Sequence, residues 1–152
     1  AISACEKGGE WQLAVALLAG MPAVRVIPNE ISYNAAISAC EKGGEWQLAV
    51  ALLAGMPAVR VIPNEISYNA AISACEKAAQ WQRALSLLGS MPAAQLTPDL
   101  LSFNAAMSAC EKGGQWQAAL SLLSGLPARK VAPDAFSCGA VISACEKDAQ
   151  WQ

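Results

Sequence analysis

The chain has 152 residues, a formal net charge of −2, and charged side chains at only 14% of its positions, where soluble domains average about a quarter. A surface with so few charges and a slightly negative net charge has no strong general attraction for polyanions. The longest apolar run, residues 13–28, is broken by Gly20, Pro22 and Arg25, so we expect no membrane insertion.

The sequence repeats itself with a period of 35 residues, and residues 1–42 recur letter for letter as residues 36–77. A fixed period of this size is typical of a solenoid, in which each repeat is one supersecondary element that stacks on its neighbours. Because the chain begins and ends partway through a repeat, we expect it to be part of a longer array. We interpret it as one array with a partial repeat (1–29), three complete repeats (30–64, 65–99 and 100–134) and a second partial repeat (135–152).

In each complete repeat the sequence predicts a first helix that begins directly after an Asn or Asp. For the repeat 65–99, Asn64 is a good N-cap and Glu65 places a carboxylate in the positive first turn of the helix. Apolar residues from Tyr68 to Cys75 then follow at the spacing of one helical face. We predict first helices over residues 30–42, 65–77 and 100–112.

A glycine pair ends the first helix in two complete repeats, since glycine readily adopts the left-handed cap conformation. Ala78 and Ala79 stand there in the repeat 65–99 and predict a poorer turn. Each second helix starts its apolar face at a Trp and stops at a Pro, which predicts second helices over residues 45–56, 80–91 and 115–126. We expect the prolines to lie in loops. No segment alternates with period two, so the sequence predicts an all-α fold, a right-handed α-solenoid of tandem helix–turn–helix repeats.

Five of the six cysteines occupy one place in the first helix. Stacked helices lie about 8–10 Å apart, whereas disulfide partners need Cα atoms within about 7 Å, so we expect these thiols to be buried and reduced. The chain has no His and no CxxC motif, and we therefore expect no metal and no cofactor. The five are Cys5, Cys40, Cys75, Cys110 and Cys145; we expect Cys138, on the first helix of the last repeat, to be buried as well.

These features together resemble the pentatricopeptide repeat family, with its P-type repeats of 35 residues. The resemblance is carried by the S-Y-N-A-A-I-S-A run, the Lys-Gly-Gly turn, the W-x-x-A-x-x-L-L-x-x-M second helix and the closing V-x-P-N/D. The nearest alternative is the tetratricopeptide repeat. That family has a shorter period and a Gly beside the first-helix Leu, and this chain has neither feature. The resemblance implies a protein that reads single-stranded RNA, one base to each repeat.

The family places its RNA-reading residues at fixed points of the repeat. Its fifth and last residues form a base-reading pair, its second residue wedges against the base, and a basic residue late in the first helix meets phosphates. The resemblance implies a pyrimidine-rich target, 5′-(C/U)-U-U-3′ over the complete repeats. The implied base-reading pairs are Asn34 with Asn64, Asn69 with Asp99 and Asn104 with Asp134; the wedges are Ile31, Ile66 and Leu101; the phosphate contacts are Lys42, Lys77 and Lys112.

The last residue of each pair is explained equally well as a helix N-cap. The fifth residues are different, because Asn34, Asn69 and Asn104 lie a turn inside a helix, where Asn is an indifferent helix former, and away from the apolar stripe. An amide there can present both a donor and an acceptor to a base edge.

Two features oppose RNA binding. Glu41, Glu76 and Glu111 each precede the basic residue and point within about 20° of the asparagine direction, which should weaken attraction to phosphates. The outer face of the second helix is small and apolar, at positions such as Ala51 and Ala54, and permits close packing against a partner.

The sequence thus leaves two functions open. The first is an organellar RNA-binding protein, in the chloroplast or mitochondrion, that acts in RNA processing, stability or translation. The alternative is a structural scaffold that holds protein subunits within a large organellar complex. Neither is an enzyme, since the sequence has no His and no Gly-rich phosphate loop.

Overall fold

The computed structural model describes residues 1–148, and all regular structure within that range is helical. Helices α1, α3, α5, α7 and α9 are the first helices of successive repeats, and α2, α4, α6 and α8 are the second helices. Their bounds are α1 Ile2–Gly8, α2 Trp11–Gly20, α3 Glu30–Gly43, α4 Trp46–Gly55, α5 Glu65–Lys77, α6 Trp81–Ser90, α7 Leu100–Lys112, α8 Trp116–Gly125 and α9 Ala135–Lys147. The all-α prediction is confirmed. None of these described helices is long and apolar enough to cross a membrane.

The helices form two compact units, residues 1–74 and the chain from Cys75 onward, and the boundary lies near the end of α5. In the first unit α2 packs against both α1 and α3, and α1 packs directly against α3. In the second unit α8 packs against both α7 and α9, and α7 packs against α9. The second helices α2 and α8 therefore each bridge their own first helix and the next one. The assignment of the whole chain to one array stays a prediction.

The helix bounds follow the sequence pattern closely. The three predicted first helices agree to within one residue, and each predicted second helix is one residue too long at both ends. The reason at the start is that Glu45 has a non-helical backbone and serves as the N-cap of α4. At the end, Pro57 does not lie in an irregular loop but opens a short 3₁₀ turn, where its fixed φ suits the first position. The 3₁₀ turns span Pro22–Val24, Pro57–Val59, Pro92–Ala94 and Pro127–Arg129.

Four of the five first-helix cysteines lie in the cores of the two units, whereas the expectation for Cys145 is wrong, because this residue is only half-buried. Cys40, Cys75 and Cys110 are fully buried, as predicted, and burial raises the pKa of each thiol to about 11. They are therefore protonated, poor nucleophiles at neutral pH. The expectation for Cys138 is wrong, because this residue is exposed: it occupies the place of the buried Phe103, but no described helix packs over it.

The turn after α5 carries a backbone conformation that its residue disfavours. Gly44 and Gly114 have φ of 78° and 68° at this place, whereas Ala79 has φ of 56°. A left-handed conformation costs an L-residue about 1–2 kcal/mol. The turn at Ala78 and Ala79 is therefore strained, in agreement with the prediction that alanines form a poorer turn here than glycines.

Replacing Ala79 by Gly should stabilise the protein by about 0.5–1 kcal/mol, because the relief of strain exceeds the extra entropy that glycine has in the unfolded chain. The urea midpoint should rise. The matched control is Ala78→Gly, since Ala78 is not among the positive-φ residues and should lose stability on the same substitution. A lower midpoint for Ala79→Gly would show that this turn is not strained.

Candidate nucleic-acid interface

One face of the first helices carries large apolar side chains that the fold leaves in solvent. Ile31, Ile66 and Leu101, the second residues of the complete repeats, are 65%, 64% and 63% exposed. Each follows an N-cap by two residues and so lies in the first turn, off the stripe that packs into the core. Exposed aliphatic residues at the repeat period are suited to contact flat apolar groups such as bases.

A groove of about 250 Å³ runs between the first helices of the unit formed by residues 1–74. Asn34 lies in this groove together with Ile31 and Ile66, so the structure brings one predicted base-reading residue and two predicted wedges together. The remaining lining residues are Ser3, Glu6, Ala35, Ser38 and Ala70. Most of these side chains are small, which keeps the groove open.

The fifth and last residues of a repeat contact each other directly. Asn34 Nδ2 donates to Asn64 Oδ1 over 3.2 Å, and Asn104 Nδ2 donates to both carboxylate oxygens of Asp134 over 3.4 Å. Two of the three predicted pairs are therefore assembled as pairs. The third, Asn69 with Asp99, has one residue in each compact unit and stays a prediction.

The last residue of each pair is also the N-cap of the following helix. Asn64 Oδ1 accepts from the Ser67 backbone N–H over 3.0 Å, and Asp134 Oδ1 accepts from the Ser137 backbone N–H over 2.8 Å. Capping therefore uses one side-chain oxygen and leaves the other terminal atom, Nδ2 of Asn64 or Oδ2 of Asp134, without a cap bond. An Asn offers a donor at that point, whereas an Asp offers an acceptor.

Asp134 is an acceptor over the whole neutral range. The hydrogen bond from the Ser137 backbone N–H, and after it the one from Asn104, holds the pKa of its carboxyl below the usual range. The side chain is therefore ionised, with no proton to donate to a ligand.

The sequence analysis missed the third residue of each repeat. Ser67 and Ser137 are completely buried, and their hydroxyls donate to Oδ1 of Asn34 and Asn104 respectively. A serine recurs at this place every 35 residues, at Ser32, Ser67, Ser102 and Ser137. That recurrence, three residues after an N-cap, was the available signal.

The glutamates late in the first helices do not form an unpaired acidic row. Glu76 accepts a hydrogen bond from Ser108 over 2.8 Å and forms an ion pair with Lys112. Glu111 does the same with Ser143 and Lys147, over 2.8 and 2.7 Å. Each carboxylate is thus compensated by the next first helix, so it opposes RNA binding less than the sequence suggested.

The same ion pairs bear on the predicted phosphate contacts. Lys42 Nζ lies 3.8 Å from Glu6 Oε1, and Lys112 is held by Glu76. A phosphate at either lysine would share the ammonium group with a carboxylate, which weakens its net attraction. The phosphate role of Lys42, Lys77 and Lys112 stays a prediction.

The Glu111 cluster makes stability depend on pH. Hydrogen bonding from Lys147, and then from Ser143, lowers the pKa of Glu111 below its ordinary value of 4.5. A group with a depressed folded pKa stabilises the protein above its unfolded pKa and loses that contribution as pH falls through the folded pKa. The urea midpoint of the natural chain should therefore fall more steeply below pH 4.5 than that of Glu111→Gln.

The control for this titration is Glu10→Gln, since the exposed Glu10 side chain makes no cap hydrogen bond. Its acid dependence should parallel that of the natural chain. Parallel curves for Glu111→Gln as well would show that the Lys147–Glu111 pair does not contribute to stability.

The sequence matches one repeat family over most of its length. Residues 28–78 and 61–114 match the pentatricopeptide repeat domain, and residues 101–131 match the PPR repeat. No curated protein matches the sequence.

Solved structures of the same family share the fold. The chain is similar to the PPR domain of Arabidopsis thaliana protein-only RNase P 1, which was solved in complex with tRNA, with 17% identity and a TM-score of 0.83 over 98% of this chain and 79% of that one. It is also similar to the pentatricopeptide repeat protein PPR10 from maize, with 27% identity and a TM-score of 0.76 over 96% of this chain.

The chain spans only 21% of the length of that PPR10 structure. A second PPR10 structure, in complex with an 18-nt psaJ RNA element, matches with 20% identity and a TM-score of 0.59, over 95% of this chain and 26% of that one. At identities of this size the likeness shows the fold alone.

Proposed function

Because the chain belongs to the pentatricopeptide repeat family, we propose that it binds single-stranded RNA along the face of its first helices, one base to each repeat. The observation that carries the proposal is the hydrogen-bonded pair Asn34–Asn64, whose reading residue lies in an open groove between Ile31 and Ile66. Packing does not require an amide there.

Each base would be held in two ways. The exposed aliphatic side chains of successive wedges, such as Ile31 and Ile66, contact the two base faces. The amide between them then meets the base edge. Of the two Nδ2 hydrogens of Asn34, one is directed at Asn64 and the other remains for an oxygen of the base.

The identity of the last residue sets which pyrimidine fits. Uracil carries a donor at N3 between two carbonyl oxygens, and Asp134 Oδ2 can accept from that N3–H while Asn104 donates to a carbonyl. Cytosine carries an acceptor at N3, which suits the Nδ2 donor of Asn64. Asn69 and Asp99 are the same residue types as Asn104 and Asp134. The complete repeats therefore read 5′-(C/U)-U-U-3′.

Base contacts would supply more of the affinity than phosphate contacts. The chain has a net charge of −2, and Lys42 and Lys112 each have a carboxylate partner. The salt dependence of binding grows with the number of phosphates that the protein neutralises. We therefore expect the RNA affinity to fall only slightly as the salt concentration is raised.

The cellular role follows from the family. We infer action in a chloroplast or mitochondrion, on RNA processing, stability or translation. The reading pairs and wedges consist of amides, aliphatic groups and the ionised carboxylate of Asp134, which acts as a hydrogen-bond acceptor at neutral pH. We therefore infer that this chain acts by binding and needs no cofactor.

The second candidate is a protein scaffold, favoured by the exposed Ala51 and Ala54 on α4, where charged residues would normally face solvent. Under this hypothesis the double substitution of Ala51 and Ala54 by Glu abolishes co-purification with the partner and leaves RNA selectivity unchanged.

Competition binding with RNAs of equal length tests the RNA function. An RNA with CUU in unstructured flanks should displace a labelled copy about tenfold better than one with GAA. The double variant Asn34→Ala with Asn104→Ala should lose that preference. Equal competition by both RNAs against the natural chain would overturn the proposal and favour the scaffold.

A further inference from the structure

The buried serine at the start of α5 belongs to two hydrogen-bond systems at once. Its Oγ accepts from the backbone N–H of Asn64 over 3.1 Å, which completes the capping of the helix. The same hydroxyl has one proton to donate, and Oδ1 of Asn34, in the preceding repeat, lies within hydrogen-bonding distance. Ser67 thus connects the start of one repeat to the base-reading residue of the repeat before it.

A second acceptor, Asn64 Oδ1, lies within reach of the Ser67 hydroxyl proton but already accepts hydrogen bonds from other donors. Asn64 Oδ1 lies 3.0 Å from the Ser67 hydroxyl, but it also accepts from the Ser67 backbone N–H and from Asn34 Nδ2. Oδ1 of Asn34 has no other described donor. Donation to Asn34 is therefore the arrangement that satisfies every group.

The same arrangement occurs independently in the second compact unit. Ser137 Oγ lies 2.7 Å from Asn104 Oδ1 and accepts from the Asp134 backbone N–H over 3.3 Å. Asp134 Oδ1 also lies 2.8 Å from this hydroxyl, but it already accepts from the Ser137 backbone N–H and from Asn104 Nδ2. Both serines have no exposed surface, so water cannot replace the hydroxyl without a change in packing.

This network fixes which way the amide faces. If the Asn34 amide turned over, its carbonyl oxygen would lie against Asn64 Oδ1 and the serine proton would lose its acceptor. At Asn104 a turned amide would place the carbonyl against the carboxylate of Asp134, and two acceptors in contact repel. The hydroxyl therefore holds Nδ2 on the side where it pairs with the last residue.

We propose that Ser67 and Ser137 are positioning residues that orient the amides of Asn34 and Asn104 and thereby set base selectivity in the preceding repeat. The inference rests on the proposed RNA function. It also means that the reading site of a repeat is completed by the first helix of the next one, so selectivity depends on three residues from two repeats.

The test compares Ser67→Ala, Ser67→Thr and Ser32→Ala in the 152-residue chain. Ser32 also contacts its N-cap residue, with Asn29 Oδ1 at 2.9 and 3.0 Å from its N and Oγ, and no described contact joins its hydroxyl to a reading residue. Ser32→Ala therefore measures loss of the cap alone. Two readouts are used: the side-chain amide signals of Asn34 by NMR without RNA, and selectivity for the nucleotide opposite the repeat 30–64.

Ser67→Ala should shift and broaden the Asn34 amide signals and reduce selectivity at that one nucleotide about five- to tenfold. Ser67→Thr should restore both, since threonine keeps the hydroxyl, and Ser32→Ala should change neither. Unchanged Asn34 signals in Ser67→Ala would overturn the positioning role whether or not RNA binds. If the natural chain showed no base selectivity while Ser67→Ala still shifted the Asn34 amide signals, only the RNA function would be refuted and the positioning role would stand.

Discussion

Replacing Asp134 by Asn should convert the preference of the repeat 100–134 from U to C. The N-cap is kept, because Asn and Asp cap helices about equally well, and Asn104 remains in place. The changed atom is the one without a cap bond, where the acceptor Oδ2 becomes the donor Nδ2. A single inverted hydrogen bond to a base edge is worth about 1–3 kcal/mol of discrimination, so the U-to-C ratio should move by about one to two orders of magnitude.

The reciprocal change supplies the control for this switch. Asn64→Asp should convert the repeat 30–64 toward U, again with the cap retained. Both variants should unfold at nearly the natural urea midpoint, and each should change selectivity at one nucleotide only. If competition binding gave the same nucleotide preference before and after both substitutions, the last residue would be a helix cap and nothing more.

The largest effect on stability should come from a glycine at a helix junction. A Cβ added to Gly113 would lie 2.3 Å from Cδ1 of the Trp81 ring, and one added to Gly43 would lie 2.3 Å from Cδ1 of Trp11. The indole packs against the bare backbone of the next repeat, so a methyl group forces ring and helix apart. Overpacking of this kind costs about 1–3 kcal/mol. We expect Gly113→Ala to lower the urea midpoint by a corresponding amount.

Gly125→Ala is the matched control, since nothing lies within 4 Å of a Cβ at that position and alanine is the better helix former by about 1 kcal/mol. This variant should be as stable as the natural chain or more so. The repeat 65–99 carries Ala78 at the place of Gly113, so the natural sequence accepts a methyl group at this position in one repeat. A neutral Gly113→Ala would show that the Trp81 contact is loose.

The helices were predictable because each repeat supplies a cap, an apolar stripe at helical spacing and a turn signal in close succession. The 3₁₀ turn at Pro57 was not, since proline is compatible both with an irregular loop and with the first position of a helical turn. Local sequence cannot decide between them. The deciding contact is Val61 N–H donating to Met56 carbonyl oxygen over 3.0 Å, which closes the turn.

The candidate site was predictable only as far as the family positions extend. Asn34 and Asn64 were identified as a pair, but helical geometry on one repeat could not show that Ser67 completes the network. That contact joins residues 33 positions apart. The partners of Glu76 could not be predicted for a related reason: one helix alone places this residue near the asparagines but does not show that Ser108 and Lys112 of the next helix pair with it.

The most direct measurement is a titration of the chain with CUU-containing RNA, followed through the side-chain amide resonances of its asparagines. The account predicts that the Nδ2 signals of Asn34, Asn69 and Asn104 shift together as RNA is added, with much smaller shifts for a GAA-containing RNA at equal concentration. Methyl signals of Ile31, Ile66 and Leu101 should respond in parallel. Shifts confined to exposed lysines, with these amides unchanged by either RNA, would contradict base reading by this face.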